Sequence, residues 1–183
     1  MCANKSHDLK TITRIGDFMN SELEIAARRC LVERGVTLKD IAELVYFLQS
    51  KYHDDLTMDV CTEHVNYVLA KREVQNAILT GVQLDKLAEQ NQLEEPLQQI
   101  VYSDESLYGI DEIIALAIVN IYGSIGFTNY GYVDKIKPGI LEHLNDTSSG
   151  ECHTFLDDIV GAIAAAASSR LAHAAADHHM LDE

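Results

Sequence analysis

Apolar residues recur at helical spacing along almost the whole chain. In "TLKDIAELVYFLQSKY", Ile41, Leu44, Val45 and Leu48 fall at i, i+3, i+4 and i+7, which makes one apolar stripe. Thr37 and Asp40 stand at its head in capping-box spacing. "SELEIAARRCLVERG" repeats the device with Ser21 and Glu24 and ends at Gly35. "MDVCTEHVNYVLAKREVQNAILTG" predicts a further helix, with Val60, His64 and Val68 on one face, that reaches Gly81 or breaks before it. "VQLDKLAEQNQ" reads as a short amphipathic helix, and Pro96 opens another in "PLQQIVY". No stretch alternates at the strand period over a useful length.

Two segments, 110–122 and 155–172, are apolar on nearly every side and are expected to be the innermost helices. Between them, "GSIGFTNYGYVDKIKPG" reads as a glycine-rich connection with at most a short helix, ended by Pro138 and Gly139. "ILEHLND" is a short helix, "TSSGE" a loop, and the last helix runs from near His153 to about Asp177. The pattern predicts an all-α fold: a single domain over residues 1–183, a bundle of about six or more helices around a central apolar helix. No apolar run reaches the roughly 18–20 residues that cross a bilayer, so no transmembrane segment is expected.

Charge narrows the choice of partners. With 14 basic against 29 acidic residues the formal net charge is -15, which repels nucleic acid. Anionic lipid surfaces are repelled too, so any membrane contact is expected to be peripheral. The 4 cysteines form no CxxC pair, which speaks against a zinc knuckle or a disulfide framework and fits a reducing, cytoplasmic setting. Cys61 and His64 in "CTEH" lack a second ligand pair and are expected to be packed or solvent-facing. An apolar helical protein of this size is expected to be a homo-oligomer.

The chemistry lies in an internal echo. "GIDEIIALAI" at 109–118 and "FLDDIVGAIA" at 155–164 place an acid pair at the entry to each apolar helix, 46 residues apart (157 − 111). One reading is capping: Thr154 and Asp157 fit a capping box, and Asp111 and Glu112 sit in a first turn, where the helix dipole favours carboxylates by about 0.3–1 kcal/mol. The other is a metal site. Four carboxylates at one end of a bundle repel one another, and a divalent cation removes the conflict. Oxygen ligands favour Mg²⁺, or Mn²⁺, over zinc. Asp134 offers a further ligand, while Lys135 and Lys137 add positive charge suited to a phosphate ester. Gly123, Gly126 and Gly131 allow a close backbone approach to an anion.

Three motifs in order, "IDEII" (Asp111, Glu112), "DKIKP" (Asp134, Lys137, Pro138) and "FLDDIVGA" (Asp157, Asp158), resemble the phosphatidylglycerophosphatase A family over about residues 105–172. "KREVQNAILTG", "LYGIDE" and "YGSIGFTNYGYVDKIKPGI" are similar to its soluble Gram-positive branch, the low-temperature-requirement C proteins. The resemblance implies a six-helix bundle with one central helix and a Mg²⁺-dependent phosphomonoester hydrolase acting on a lipid phosphate or a soluble phosphate ester. Asp111, Glu112, Asp134, Asp157 and Asp158 would hold the ion. Asp111, Asp157, Asp158 and Lys137 would be catalytic, with Lys135 and Lys137 on the substrate. The chain departs from the lipid phosphatases in two places. It has no counterpart of their Gly-rich "Pro-x-Ala-Pro-Gly-Thr" motif, and Gly131 stands where they carry an arginine. These departures support the alternative: a non-catalytic metal- or phosphate-binding regulatory protein.

Overall fold

A computed structural model describes residues 22–146, 148 and 150–179, and every regular element among them is helical. The elements are α1 (22–33), α2 (Leu38–Gln49), α3 (Met58–Leu69), α4 (Arg72–Glu89), α5 (Leu97–Tyr102), α6 (Ile110–Val119), a 3₁₀ turn (Asn120–Tyr122), α7 (Gly123–Ile136), α8 (Ile140–Leu144) and α9 (Leu156–His179).

The centre is α9. Every residue from Cys152 to Ser169 is buried, and α2, α3, α4, α6, α7 and α8 all pack against this helix. Its Ala-rich body lets six neighbours approach, since small side chains hold helix axes close together. The stripe on α2 is buried as its spacing requires, and Thr37 and Asp40 form the full reciprocal capping box. Gly35 takes φ +78° and ends α1, with the Val36 N–H bonding back to Leu31 O at 2.9 Å. Ser21 lies outside the described residues.

Several boundaries differ from the expectation. The helix beginning at Met58 stops at Leu69, and α4 then runs unbroken through Gly81 to Glu89, absorbing the supposed separate helix. Gly81 is there for contact. A Cβ at that position would overlap Ile159 and stand 2.8 Å from Phe155 Cβ, so glycine lets α4 press onto α9. On α3, Cys61, His64, Val65 and Val68 face inward, whereas Val60 is exposed. The glycine-rich connection is the 14-residue α7. Its Gly126 sits tight against Val119, where a Cβ would lie 3.1 Å from Cγ1. Packing on α9 overrides the low helix propensity of glycine.

The segment 110–122 is not an innermost helix. Ala115, Ile118 and Val119 face the core, but Ile110 and Ile113 are 48% and 59% exposed. The run Ile110–Ile136, 27 residues containing an 18-residue stretch with a mean hydropathy of 1.6, is long and apolar enough by composition to cross a membrane, which corrects the expectation of no such run. Its geometry divides it: Gly123 at φ +69°, ψ −163° is not helical. The resulting helices of 10 and 14 residues reach only about 15 and 21 Å, against roughly 30 Å of hydrocarbon.

Candidate active site

The entry to α9 is built by distant parts of the chain. Asp85, fully buried on α4, accepts the Phe155 and Leu156 N–H groups, each at 3.1 Å. It thus caps α9 across some seventy residues of sequence. Thr154 does not form the expected capping box: its hydroxyl donates to Val101 O at 2.6 Å and ties the loop to α5. Arg34, beyond the end of α1, donates to Glu89 Oε2 at 3.0 Å, to Cys152 O at 2.7 Å and toward His153 Nδ1 at 3.0 Å. Glu89 in turn accepts the Cys152 N–H at 2.8 Å. Backbone groups that would be costly to bury unpaired are therefore met by side chains of α4 and Arg34.

This frame leaves Asp157 and Asp158 in the first turn of α9, only 7% and 6% exposed. Lys137 comes to them from the end of α7. Its Nζ lies 2.7 Å from Asp134 Oδ1, 2.7 Å from Asp157 Oδ2 and 3.8 Å from Asp158 Oδ1. Lys137 sits at φ +47°, an uncommon conformation for a side-chain-bearing residue and doubly disfavoured before Pro138. Strain of this kind persists where surrounding contacts over-determine it, and here two carboxylates from different helices do so.

A cleft of about 200 Å³ opens above this triad. Asp104, Glu105, Asp111, Glu112, Asp134, Asp157 and Asp158 line it, with Lys137 as the one cation among the lining residues. Both acid pairs of the echo thus reach one cleft. Glu112 stands at the exposed rim, and Asp111 Oδ1 accepts the Glu112 N–H at 2.9 Å. Lys135, expected on the substrate, is exposed on α7 and is not among the residues that line this cleft.

The electrostatics record the crowding. Burial and then the charge of Asp157 push Asp158 up to about 8. Burial also raises Asp157, with Lys137 pulling the other way. Burial works against the Lys137 ammonium, but Asp157 and Asp134 outweigh it and hold the group charged. Desolvation in the cleft and the charge of Asp111 raise Asp104. The Tyr130 hydroxyl is pushed far up by burial and by the charges of Asp158 and Asp134.

No three carboxylate, imidazole or thiol groups among the described residues form a ready metal-ligand set as the side chains stand. Lys137 serves as the counter-ion between Asp134 and Asp157. The donor set nevertheless suits a hard divalent cation: carboxylate oxygens in excess over the single ammonium, at least one with its acidity depressed by burial and then by the neighbouring Asp157.

Sequence reasoning missed Asp104, Asp85, Arg34, Glu89 and Tyr130. A clue for Asp104 was its place in "SDES", seven residues before Asp111. Asp85 carried a weaker one, a lone acid among the apolar positions of α4. Cys61 and His64 are packed, the latter with Nδ1 2.8 Å from Arg170 Nη1.

Fold and site together define an all-α protein with a carboxylate-rich cleft closed by one lysine. Residues 30–173 match the family model for phosphatidylglycerophosphatase A, and the chain belongs to that phosphatase-related family. It is 72% identical over 155 residues to the uncharacterized protein YutG of Bacillus subtilis, covering 85% of this chain and 93% of YutG. A solved structure of a protein of unknown function from Bacillus stearothermophilus is 74% identical with a TM-score of 0.82, covering 83% of this chain and 94% of that one. The low temperature requirement C protein from Listeria monocytogenes is 66% identical with a TM-score of 0.82, covering 83% and 96%.

Proposed function

We propose that the cleft is the active site of a divalent-cation-dependent phosphomonoester hydrolase, with Mg²⁺ as the expected ion and Mn²⁺ as its substitute. The observation that carries this reading is Lys137. A strained backbone delivers its ammonium among carboxylates of two helices, in a cleft whose other charged lining residues are all carboxylates. Asp111, Asp157 and Asp158, with Asp134 and Glu112, would hold the ion. Bound there, the cation would supply charge neutralisation at the phosphate and acidity to the attacking water. Lys137 would meet a phosphoryl oxygen and offset the charge that develops on it. Asp134 and Asp157 orient that ammonium when no substrate is present. The Asp85 cap keeps the first turn of α9, and so its two carboxylates, in register.

The substrate is a lipid phosphate or a water-soluble phosphate ester. Phosphate release from phosphatidylglycerophosphate in detergent micelles, and from soluble phosphomonoesters, decides between the two. Mg²⁺-dependent turnover that EDTA abolishes, and that Asp157→Asn and Lys137→Met lower at least a hundredfold, is the expected result.

A second reading, a regulatory protein that binds the ion without turnover, is favoured by Gly131, where a Cβ would meet open space and no phosphate-gripping side chain is present. It predicts Mg²⁺ binding with no phosphate release from any ester. The proposal also carries a cytoplasmic location, supported by the unpaired Cys30, Cys61 and Cys152. Self-association of the chain belongs to it too, supported by the exposed Ile110 and Ile113 of α6. Sedimentation velocity checks the latter, and a monomer at micromolar concentration would count against it.

A further inference from the structure

The acidic cleft is rich in acceptors, whereas the oxygens of a phosphate ester need donors. Its acids aside, four lining side chains can donate a hydrogen bond: Ser106, Lys137, Asn145 and Thr154. Lys137 already spans Asp134 and Asp157. Thr154 gives its hydroxyl proton to Val101 O at 2.6 Å. The N–H groups of Glu112 and Asp158 are likewise taken, by Asp111 Oδ1 and Asp157 Oδ1.

Ser106 and Asn145 remain, and they differ in place. Ser106 lines the cleft from the exposed stretch between α5 and α6. Asn145 lines both the cleft and a narrow adjoining chamber of about 10 Å³. It shares that double position with Asp104, Thr154 and Asp157, so it stands on the wall between the two spaces, beside the buried start of α9. Its backbone is fixed. Leu141 and Leu144 bury α8 against the core, and the Asn145 N–H closes that helix on Leu141 O at 2.9 Å. One short anchored segment thus brings two donors to the cleft, Lys137 before α8 and Asn145 after it. The Asn145 side chain is exposed, and its carboxamide makes no hydrogen bond to any described residue.

We infer that Asn145 Nδ2 is a substrate-binding group, the second donor to the phosphoryl oxygens that Lys137 meets. The inference rests on the reading of the cleft as a phosphate site. A phosphoryl group presents several strong acceptor oxygens, and one ammonium already engaged with two carboxylates leaves most of them unmet. A neutral amide suits this cleft better than a further lysine would. It donates to a charged acceptor, yet it brings no charge for the surrounding carboxylates to capture.

The test is calorimetric titration of inorganic phosphate into the full chain at saturating Mg²⁺, where the native chain is expected to bind phosphate saturably. A hydrogen bond to a charged group is worth more than a neutral one, so Asn145→Ala should weaken phosphate about tenfold. Asn145→Asp keeps the shape, sets a carboxylate against the phosphate and should weaken it further. Ser106→Ala should leave phosphate affinity unchanged, and Mg²⁺ titrated alone should bind Asn145→Ala as it binds the native chain. Phosphate affinity that Asn145→Ala leaves intact would overturn the inference. So would a native chain that takes up no phosphate, or an Asn145→Ala variant that loses Mg²⁺ along with phosphate, which would make Asn145 an ion ligand instead. Asn145-dependent phosphate binding in a chain that hydrolyses no ester supports this inference and contradicts the hydrolase reading. Ester turnover with an unchanged KM in Asn145→Ala does the reverse.

Discussion

The starts of α6 and α9 carry nearly the same residues and live in opposite surroundings. At α9, Phe155 and Leu156 present their N–H groups to Asp85, and the acid pair that follows is buried. At α6, Gly109 in the left-handed region provides no side-chain cap, Glu112 faces solvent, and Ile110 and Ile113 are exposed. The local device is shared, and the rest of the chain decides what it becomes. Where α4, α5 and Arg34 close over a helix start, its carboxylates are desolvated and their acidity changes. Where nothing covers it, they stand within reach of solvent at a rim. The cleft needs both, a rigid buried half and an accessible half.

Removing the cap should separate the two starts most sharply. Asp85→Ala leaves two buried amides unmet and is expected to cost roughly 2–5 kcal/mol in urea unfolding. Asp111→Ala, on the open start, should cost less than about 1 kcal/mol. Equal losses would show that α9 is not held by its distant cap.

A pH series gives the next effect. Asp158 is raised to about 8, so the folded state keeps a proton that the unfolded chain, with an ordinary aspartate near 3.8, releases. Its contribution is therefore fully present below about pH 4 and is lost as pH rises through about 8. In EDTA, Asp158→Asn should flatten the fall in stability between those limits and gain about 1–3 kcal/mol over the native chain at pH 8.5. Asp85, raised in the same direction to about 8, keeps part of the slope in that variant. A pH profile that Asp158→Asn leaves unaltered would contradict the crowding at the α9 start.

Gly81→Ala tests the close packing beneath that start. The added Cβ meets Phe155 and Ile159, and a loss of about 1–2 kcal/mol is expected by chemical denaturation. Gly131→Ala is the internal control. Its Cβ meets open space on an exposed helix face, and stability should rise by about 0.5–1 kcal/mol.

The same contrast explains what was legible in the sequence. Periodicity exposed the α2 stripe and the all-round apolar character of α9, because both are local patterns that burial merely uses. The three acid and lysine motifs were legible as an ordered set, and the fold brings Asp111, Asp134, Lys137, Asp157 and Asp158 to one cleft. The pattern could not show that Thr154 turns to Val101, or that Asp85 replaces it as the cap, since those choices depend on contacts across fifty to seventy residues. Glycine misled twice for one reason. Gly81 was read as the end of a helix and Gly126 as part of a connection, but they are places where another helix or turn comes close. The motif favoured Lys137 over Lys135, and the fold directs Lys137 inward from a left-handed turn and leaves Lys135 in solvent.

The central claim is that both helix starts serve one cation. Calorimetric titration of Mg²⁺ into the native chain, Asp157→Asn and Asp111→Asn tests it most directly. The account predicts saturable binding to the native chain and at least a tenfold loss of affinity in each variant, although the two residues lie on different helices and differ in burial. If Asp157→Asn loses binding while Asp111→Asn keeps the native affinity, or if the native chain takes up no Mg²⁺ at millimolar concentration, the shared site is contradicted.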